Sequence, residues 1–475
     1  MAKNIFILSK GIIMTSNSNL KHALSDRQVS MITIGGIIGA GLFIVSASAI
    51  NTIGPAVLIS YMITGLLCFF VMRMLGEMAI LNPNSGSFST YATKALGHWA
   101  GFTVGWLYWW YWALVIAFES VLGAGILSAY FPDIPAVIFA AGIVILLAIT
   151  NLFDVRNFGE FEFWFALIKV IAIVAFIIIC GLAIFNFWPL AKNVSGIANL
   201  YNHGGFLPQG YSSILQGVLI TIFSFFGIEM LTITAAEAKH PEKQIRRSTT
   251  LVIYRIAIFY ILSIFLVLCI VPWNDPGLQK MGTFQYVLSV LNVPGTKLVM
   301  DIIVFIAVCS VLNSGIYVSS RMLFSLANRG DAPQFLTRLG TKGVPKNAVL
   351  FSTAISLLAI FSNYFFSKGL FSFLLSTIGS IGLIVYLVVA CSQFCLRKKL
   401  DKEGVQLDFK IWFFPWITLA VIALILMTLG YMLFSEKYQY EALMTSSLTI
   451  IILIASFILK YKRNKQSQLN VNEQG

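Results

Sequence analysis

Apolar positions in this chain run on for long stretches, and polar residues collect in the gaps between them. Runs long enough to cross about 30 Å of hydrocarbon lie near 31–50, 55–79, 99–130, 136–150, 160–187, 213–236, 251–272, 285–320, 347–364, 370–393, 411–434 and 443–460. The pattern predicts an all-α membrane protein with about 12 transmembrane helices. The stretches at 136–150 and 347–364 are short, and 285–320 is long enough to tilt or to extend out of the bilayer. Residues 11–30 are polar, so the N-terminus lacks a signal peptide of the usual form.

Composition agrees with this pattern. Of 475 residues, 58% are hydrophobic and only 11% are charged, with a mean hydropathy of +0.86. A soluble domain carries about 25% charged residues. Charge placement adds a direction. With the N-terminus inside, 24 of the 32 Lys and Arg residues fall on the inner side and 5 on the outer. That asymmetry predicts cytoplasmic N- and C-termini. It also accounts for the net charge of +13 as topology signals and contacts to anionic membrane lipids, and excludes a nucleic-acid module. Cys68, Cys180, Cys269, Cys309, Cys391 and Cys395 lie in or near apolar runs without ligand spacing, which predicts small buried hydrophobes and no metal site.

Four glycines, Gly35, Gly36, Gly39 and Gly41, crowd the middle of the first run. Small residues there permit close helix packing. They equally suit a helix broken at mid-membrane, whose freed N–H groups hold a carboxylate at the positive end of a dipole. In Gly39-Ala40-Gly41 no large Cβ group stands between backbone and ligand. An inverted repeat would place a second break in the sixth run, where Gly227 lies two residues before Glu229.

Ionisable groups inside spans need a partner, a wet cavity or the neutral state. Lys169 lies within the fifth run and suits proton release and uptake, or alternatively snorkels to the surface. Glu119 follows the aromatic run Trp106-Leu-Tyr-Trp-Trp-Tyr-Trp112; it can take a proton or neutralise a substrate ammonium. The aromatics wall a pocket or form an interfacial belt. Glu229 is a further candidate for proton coupling or charge support. Glu237, at the inner end of the sixth run, is read as a solvated gating group. Asn313 and Ser314 in the eighth run support the site or line the pathway. No nucleophile–base pair or metal-ligand spacing stands out, so the chain is not expected to be an enzyme.

Several stretches resemble a known family. They are Gly36-Ile-Ile-Gly-Ala-Gly-Leu-Phe43, Gly76-Glu-Met-Ala79, Gly86-Ser-Phe-Ser-Thr-Tyr-Ala92, Trp99-Ala-Gly-Phe-Thr-Val-Gly-Trp-Leu-Tyr-Trp-Trp110, Phe223-Ser-Phe-Phe-Gly-Ile-Glu229, Ala235-Ala-Glu-Ala-Lys-His-Pro-Glu242 and Ser320-Arg-Met-Leu-Phe-Ser-Leu-Ala-Asn-Arg-Gly-Asp-Ala-Pro333. Over residues 25–460 the chain resembles the amino acid permeases of the amino acid, polyamine and organocation superfamily, in its bacterial amino acid transporter family, and most closely the branch that carries 4-aminobutyrate (GABA).

The resemblance implies a five-plus-five inverted repeat (LeuT-like) with discontinuous helices one and six, followed by two further helices. The expected divisions are a tail at 1–30, repeats at 31–187 and 188–393, a loop and helices 11 and 12 at 394–460, and a tail at 461–475. It implies that Gly39, Ala40 and Gly41 take the substrate carboxylate. Carbonyls around Phe223, Phe225, Phe226 and Gly227 meet the amino group, and an aromatic side chain there acts as a gate. Lys169 matches a lysine that in proton-coupled relatives replaces a sodium ion. The expected activity is proton symport of a small zwitterionic amino acid in a bacterial inner membrane, with the proton as coupling ion, no cofactor and no obligatory protein partner. A permease for an α-amino acid such as proline or alanine, and a membrane amino acid sensor, are the alternatives.

Overall fold

Ser25 opens the first helix with a reciprocal cap. Its hydroxyl accepts from the Gln28 amide while the Gln28 side chain accepts from the Ser25 amide, which satisfies two donors that a helix start leaves free. From that cap the computed structural model describes residues 25–39, 41–84, 86–153, 155–190, 194–340, 343–365, 373–374 and 377–472. The elements are helical: α1 (Asp26–Ile37), a π-turn (Gly41–Val45), α2 (Ser46–Ile53), α3 (Val57–Leu81), α4 (Ser87–Leu96), α5 (His98–Tyr130), α6 (Ala136–Phe153) and α7 (Val155–Ile184). There follow α8 (Ser212–Phe225), α9 (Met230–Ala236), α10 (Pro241–Arg255), a second π-segment (Ile256–Leu262), α11 (Ser263–Ile270), α12 (Pro276–Met281) and α13 (Thr283–Val290). The chain ends with α14 (Thr296–Asn328), α15 (Lys346–Phe365), α16 (Ile381–Lys402), α17 (Trp416–Phe434) and α18 (Gln439–Asn472).

Among the described residues, 11 helical segments are long and apolar enough to cross a membrane. The expected count of about 12 differs because the first span is broken after Ile37, and its second half continues through a 3₁₀ turn at Gly54–Ala56 into α3 as one segment, Gly41–Leu81. Gly54, at φ +79°, makes the turn between the two spans without the cost a side chain would add there. Two further boundaries shift. Residues 285–295 belong to α13 and a turn, so the eighth span starts at Thr296. The seventh span, expected at 251–272, belongs to a helical segment that begins at Pro241 and reaches Ile270.

Burial sorts the bundle into centre and rim. In Ser212–Ala236, 83% of the apolar window is buried, against 17% in Gln439–Arg463. The segment containing α8 and α9 is therefore the hub, and α18 faces lipid. Glycines let the hub's neighbours approach: a Cβ on Gly315 of α14 would meet the Trp112 ring of α5 at 2.9 Å. The cysteines fit the packing expectation only in part, because Cys68, Cys180 and Cys269 are buried whereas Cys395 is exposed.

One face gathers the basic connections. Asp331 accepts from His98 at 2.8 Å, Arg329 at 3.2 Å and Arg463 of α18 at 3.2 Å. Arg329 also reaches Ser89 at 2.7 Å. Glu77 of α3 pairs with Arg397 at 3.3 Å and accepts from the Ile411 amide at 2.8 Å. The loops after α3, α14 and α16 thus share a face with the end of α18.

Candidate functional site

α1 loses its helical path at Ile38, whose backbone is extended (φ −90°, ψ 92°). The chain re-enters helix only at the Gly41 turn. Ala40 lies outside the described residues. Both flanking glycines are required by packing: a Cβ on Gly39 would meet Val311 Cγ2 at 2.9 Å, and one on Gly41 would meet the Ser224 Cα at 3.0 Å. The first break therefore sits directly against the hub helix.

The hub breaks at the same level. α8 ends at Phe225, Phe226 is extended, Gly227 stands at φ +111°, and α9 starts at Met230. In a continuous helix the Gly227 amide would bond the Phe223 carbonyl. Here it donates to Glu229 Oε2 at 3.0 Å. Glu229 also accepts from Tyr108 at 2.9 Å and Tyr386 at 3.2 Å. Its carboxylate thus diverts one amide and leaves the Phe223 carbonyl without its helical donor, at the cavity wall.

Between the breaks lies a small cavity of about 30 Å³, room for about two water molecules. Gly39, Gly41, Phe223, Ser224, Phe226 and Glu119 are among its lining residues, with Tyr111 and Trp112 opposite. Tyr111 and Trp112 of the aromatic run are therefore cavity wall, and Tyr108 and Trp109 are core. Phe226 packs against Tyr111 with ring centroids 4.2 Å apart, and the missing side chain at Gly382 makes space for its ring. Phe225 points elsewhere, onto Tyr260 at 4.6 Å.

Glu119 is 2% exposed, and among the described residues its Oε2 has no hydrogen-bond partner. Lys169 is fully buried, which rules out snorkelling in this conformation. Its Nζ donates to the Ile38 carbonyl at 2.8 Å and to Ser310 Oγ at 2.8 Å, so it holds the last turn of α1. Ser310 in turn donates to Glu162, to which Asn313 Nδ2 donates at 3.3 Å. Asn151 fixes Asn313 at 2.8 Å, and Ser314 lies against the same carboxylate.

Glu237 is not solvated. It is 2% exposed and pairs with Arg321 at 3.0 Å, whose guanidinium lies 3.8 Å from the Tyr317 ring. Among the described residues no group of three or more His, Cys, Asp or Glu could hold a metal. A larger cavity of about 130 Å³ lies toward the opposite face, between Phe43 and Ile44 of the π-turn and Met281, Gln285 and Asp301.

Two interrupted helices that meet at a small polar-ended cavity, inside a bundle of long apolar helices, define a membrane transport protein of the broken-helix class. The comparisons with known proteins narrow this. Residues 28–471 match the amino acid permease family, and the chain belongs to it. A probable GABA permease of Pseudomonas aeruginosa is 50% identical over 445 residues, 94% of each chain. The gamma-aminobutyric acid permeases of Escherichia coli and Bacillus subtilis are 48% and 45% identical, each over 94% of this chain and 95% of theirs.

Proposed function

We propose that this chain is a proton-coupled permease carrying 4-aminobutyrate, or a closely related small amino acid, across a bacterial inner membrane by alternating access. The observation that carries the reading is the cavity at which both helix breaks meet, with an unpartnered carboxylate oxygen of Glu119 at one side and backbone at the other. N–H groups at Gly39, Ala40 and Gly41 take the substrate carboxylate at the positive end of the half-helix. The ammonium meets the Phe223 carbonyl and the Glu119 carboxylate. Phe226 closes over the bound molecule, and Gly227 and Glu229 keep the second break open. The relatives' names support 4-aminobutyrate as the substrate.

Lys169 carries the coupled proton in this reading. A protonated amine grips the Ile38 carbonyl more strongly than a neutral one, so its proton governs how firmly α1 is held. The matching positions of the two breaks support two inverted five-helix repeats, and the basic face is assigned to the cytoplasm. Arg321 and Glu237 then form the inner gate. The test is uptake of labelled 4-aminobutyrate into proteoliposomes under an imposed pH gradient without sodium, with a competing panel of α- and ω-amino acids. Gradient-driven accumulation blocked best by ω-amino acids is expected. Uptake that needs sodium and ignores the pH gradient sinks the coupling, and stronger competition by an α-amino acid sinks the substrate.

A further inference from the structure

Glu162 has no part in the scheme above, and the surroundings give it one. It is a carboxylate with no exposed surface, on α7, seven residues and therefore two turns before Lys169. Two turns at 5.4 Å each put its Cα about 11 Å closer to the basic face, on the same side of the helix, while its carboxylate reaches back to share Ser310 with Lys169. Burying a second ionisable group this deep, next to a lysine already held by other oxygens, is costly unless the group works with it.

The hydrogen bonds between the two residues run in one direction. Lys169 Nζ donates to Ser310 Oγ, and Ser310 Oγ donates to Glu162 Oε1. We propose that Glu162 is the inner relay of the coupled proton, receiving it from Lys169 through the Ser310 hydroxyl; this rests on the proton-coupled reading given above. The step balances. An N–H bond of the Lys169 ammonium breaks as its proton passes to Ser310 Oγ, and the hydroxyl proton of Ser310 passes to Glu162 Oε1. The products are a neutral amine, an unchanged serine and a neutral carboxylic acid. No net charge has moved out of the protein, which suits a step taken while the site is sealed from water.

Groups facing Glu162 support this assignment. α14 contributes Ser310, Asn313 and Ser314, and α6 contributes Asn151 through Asn313. None of these four titrates. On α5 the nearest carboxylate, Glu119, acts on Lys169, though less than Glu162 does. From α1, the Ile38 carbonyl holds Lys169, and Arg27 is engaged by Glu160 at 3.2 Å. Lys169 is thus the cation that answers to Glu162.

The relay also has a door. One turn closer to the basic face, Phe158 of α7 stacks on Tyr317 of α14, with centroids 4.1 Å apart and planes 5° from parallel. The other partner of Tyr317 is Arg321, clamped by Glu237. The inner gate therefore lies across the exit from Glu162. Parting Arg321 from Glu237 frees the stack, admits water to the carboxylic acid and lets the proton leave on the side where substrate is released. Meanwhile the neutral amine has loosened its hold on α1. Proton exit thus follows gate opening and is not its precondition.

Purified protein in proteoliposomes tests this with two assays on Glu162→Gln, Glu162→Asp and Ser310→Ala. Net uptake of 4-aminobutyrate driven by an alkaline interior needs the relay; exchange of labelled for unlabelled substrate at equal pH does not. Glu162→Gln is expected to lose gradient-driven uptake by about 100-fold while exchange stays at the wild-type rate, and Glu162→Asp is expected to restore much of the uptake. Ser310→Ala keeps both ionisable groups and is expected to show the same split, which covers a glutamine variant that fails to fold. Undiminished gradient-driven uptake in Glu162→Gln or Ser310→Ala overturns the proposal, as does loss of exchange in step with uptake in a stably folded variant. A wild-type protein indifferent to the pH gradient would instead refute the coupling reading beneath it.

Discussion

Replacing Glu229 by alanine should undo the second helix break, whereas glutamine should preserve most of it. The carboxylate is 1% exposed and accepts from Tyr108, Tyr386 and the Gly227 amide. Alanine leaves three buried donors unmet, at about 1–3 kcal/mol each, or about 3–9 kcal/mol before any water enters. That is comparable with the whole stability of a typical domain, about 5–15 kcal/mol. Glutamine can place its amide oxygen where Oε2 stands, keeping Gly227 and Tyr386. Its NH₂ then faces Tyr108, whose hydroxyl rotates to accept. The number of bonds is preserved and only charge assistance is lost, a cost of about 1–2 kcal/mol. A second consequence separates the variants in function. With alanine the Gly227 amide no longer has its side-chain acceptor, and the Phe223 carbonyl competes for it. Heat survival of detergent-solubilised protein, followed by size-exclusion, measures the first effect, and half-saturation of substrate exchange the second. Equal heat resistance and equal half-saturation in the alanine and glutamine variants would refute the clamp.

Four further substitutions probe the remaining parts of the site. Glu119→Gln keeps the shape but removes the charge facing the ammonium, so apparent affinity for 4-aminobutyrate in equal-pH exchange should fall by about tenfold to a hundredfold; unchanged affinity would detach Glu119 from the substrate. Gly41→Ala pushes a methyl group to 3.0 Å from the Ser224 Cα, and overpacking of about 1–3 kcal/mol should appear as slower uptake with near-normal expression, measured as initial rate per folded transporter. For the gate, Arg321→Met and Glu237→Gln singly should each destabilise by about 3–5 kcal/mol because one buried charge is stranded, while the double variant recovers part of that loss. Additive losses in a heat-denaturation cycle would show that the pair is not coupled.

The first break was legible because four glycines in one apolar run contradict both helix propensity and the need to satisfy backbone polar groups in lipid. The second offered only Gly227. Its determinants, Tyr108 and Tyr386, lie 121 and 157 residues from Glu229, and no local pattern announces a carboxylate that bonds its own chain's amide across a break. Distance in sequence also hid Arg321 from Glu237, 84 residues away, so a buried ion pair read as a solvated end. Glu162 was within reach: a Glu and a Lys seven residues apart share a helix face, and both sit inside an apolar run. Lys169 drew the attention because it lies deeper. Among the described residues the continuous helical segments number one fewer than the expected spans for a simpler reason, since a 3₁₀ turn joins two apolar runs that hydropathy separates.

Among the described residues, the buried charges around the two breaks and the basic face are answered by the scaffold except for Glu119, and away from them Arg255 keeps one nitrogen without a partner. Arg321 answers Glu237, and Arg397 answers Glu77. Three basic groups answer Asp331, and three neutral donors answer Glu229. Lys169 answers Glu162 through Ser310. Glu119 faces a cavity of about 30 Å³ with one oxygen unmet, a state that about two waters relieve in part. In the proposed reading a substrate ammonium completes that oxygen, and a substrate carboxylate completes the N–H groups of the first break. A monoamine or a monocarboxylate of the same length meets one end and expels the water from the other, leaving a buried group unsatisfied at about 1–3 kcal/mol. Selectivity for a zwitterion therefore needs no steric filter. In that reading it follows from two ends that a molecule charged at both termini satisfies together, and the gap between those ends would read the length of the substrate.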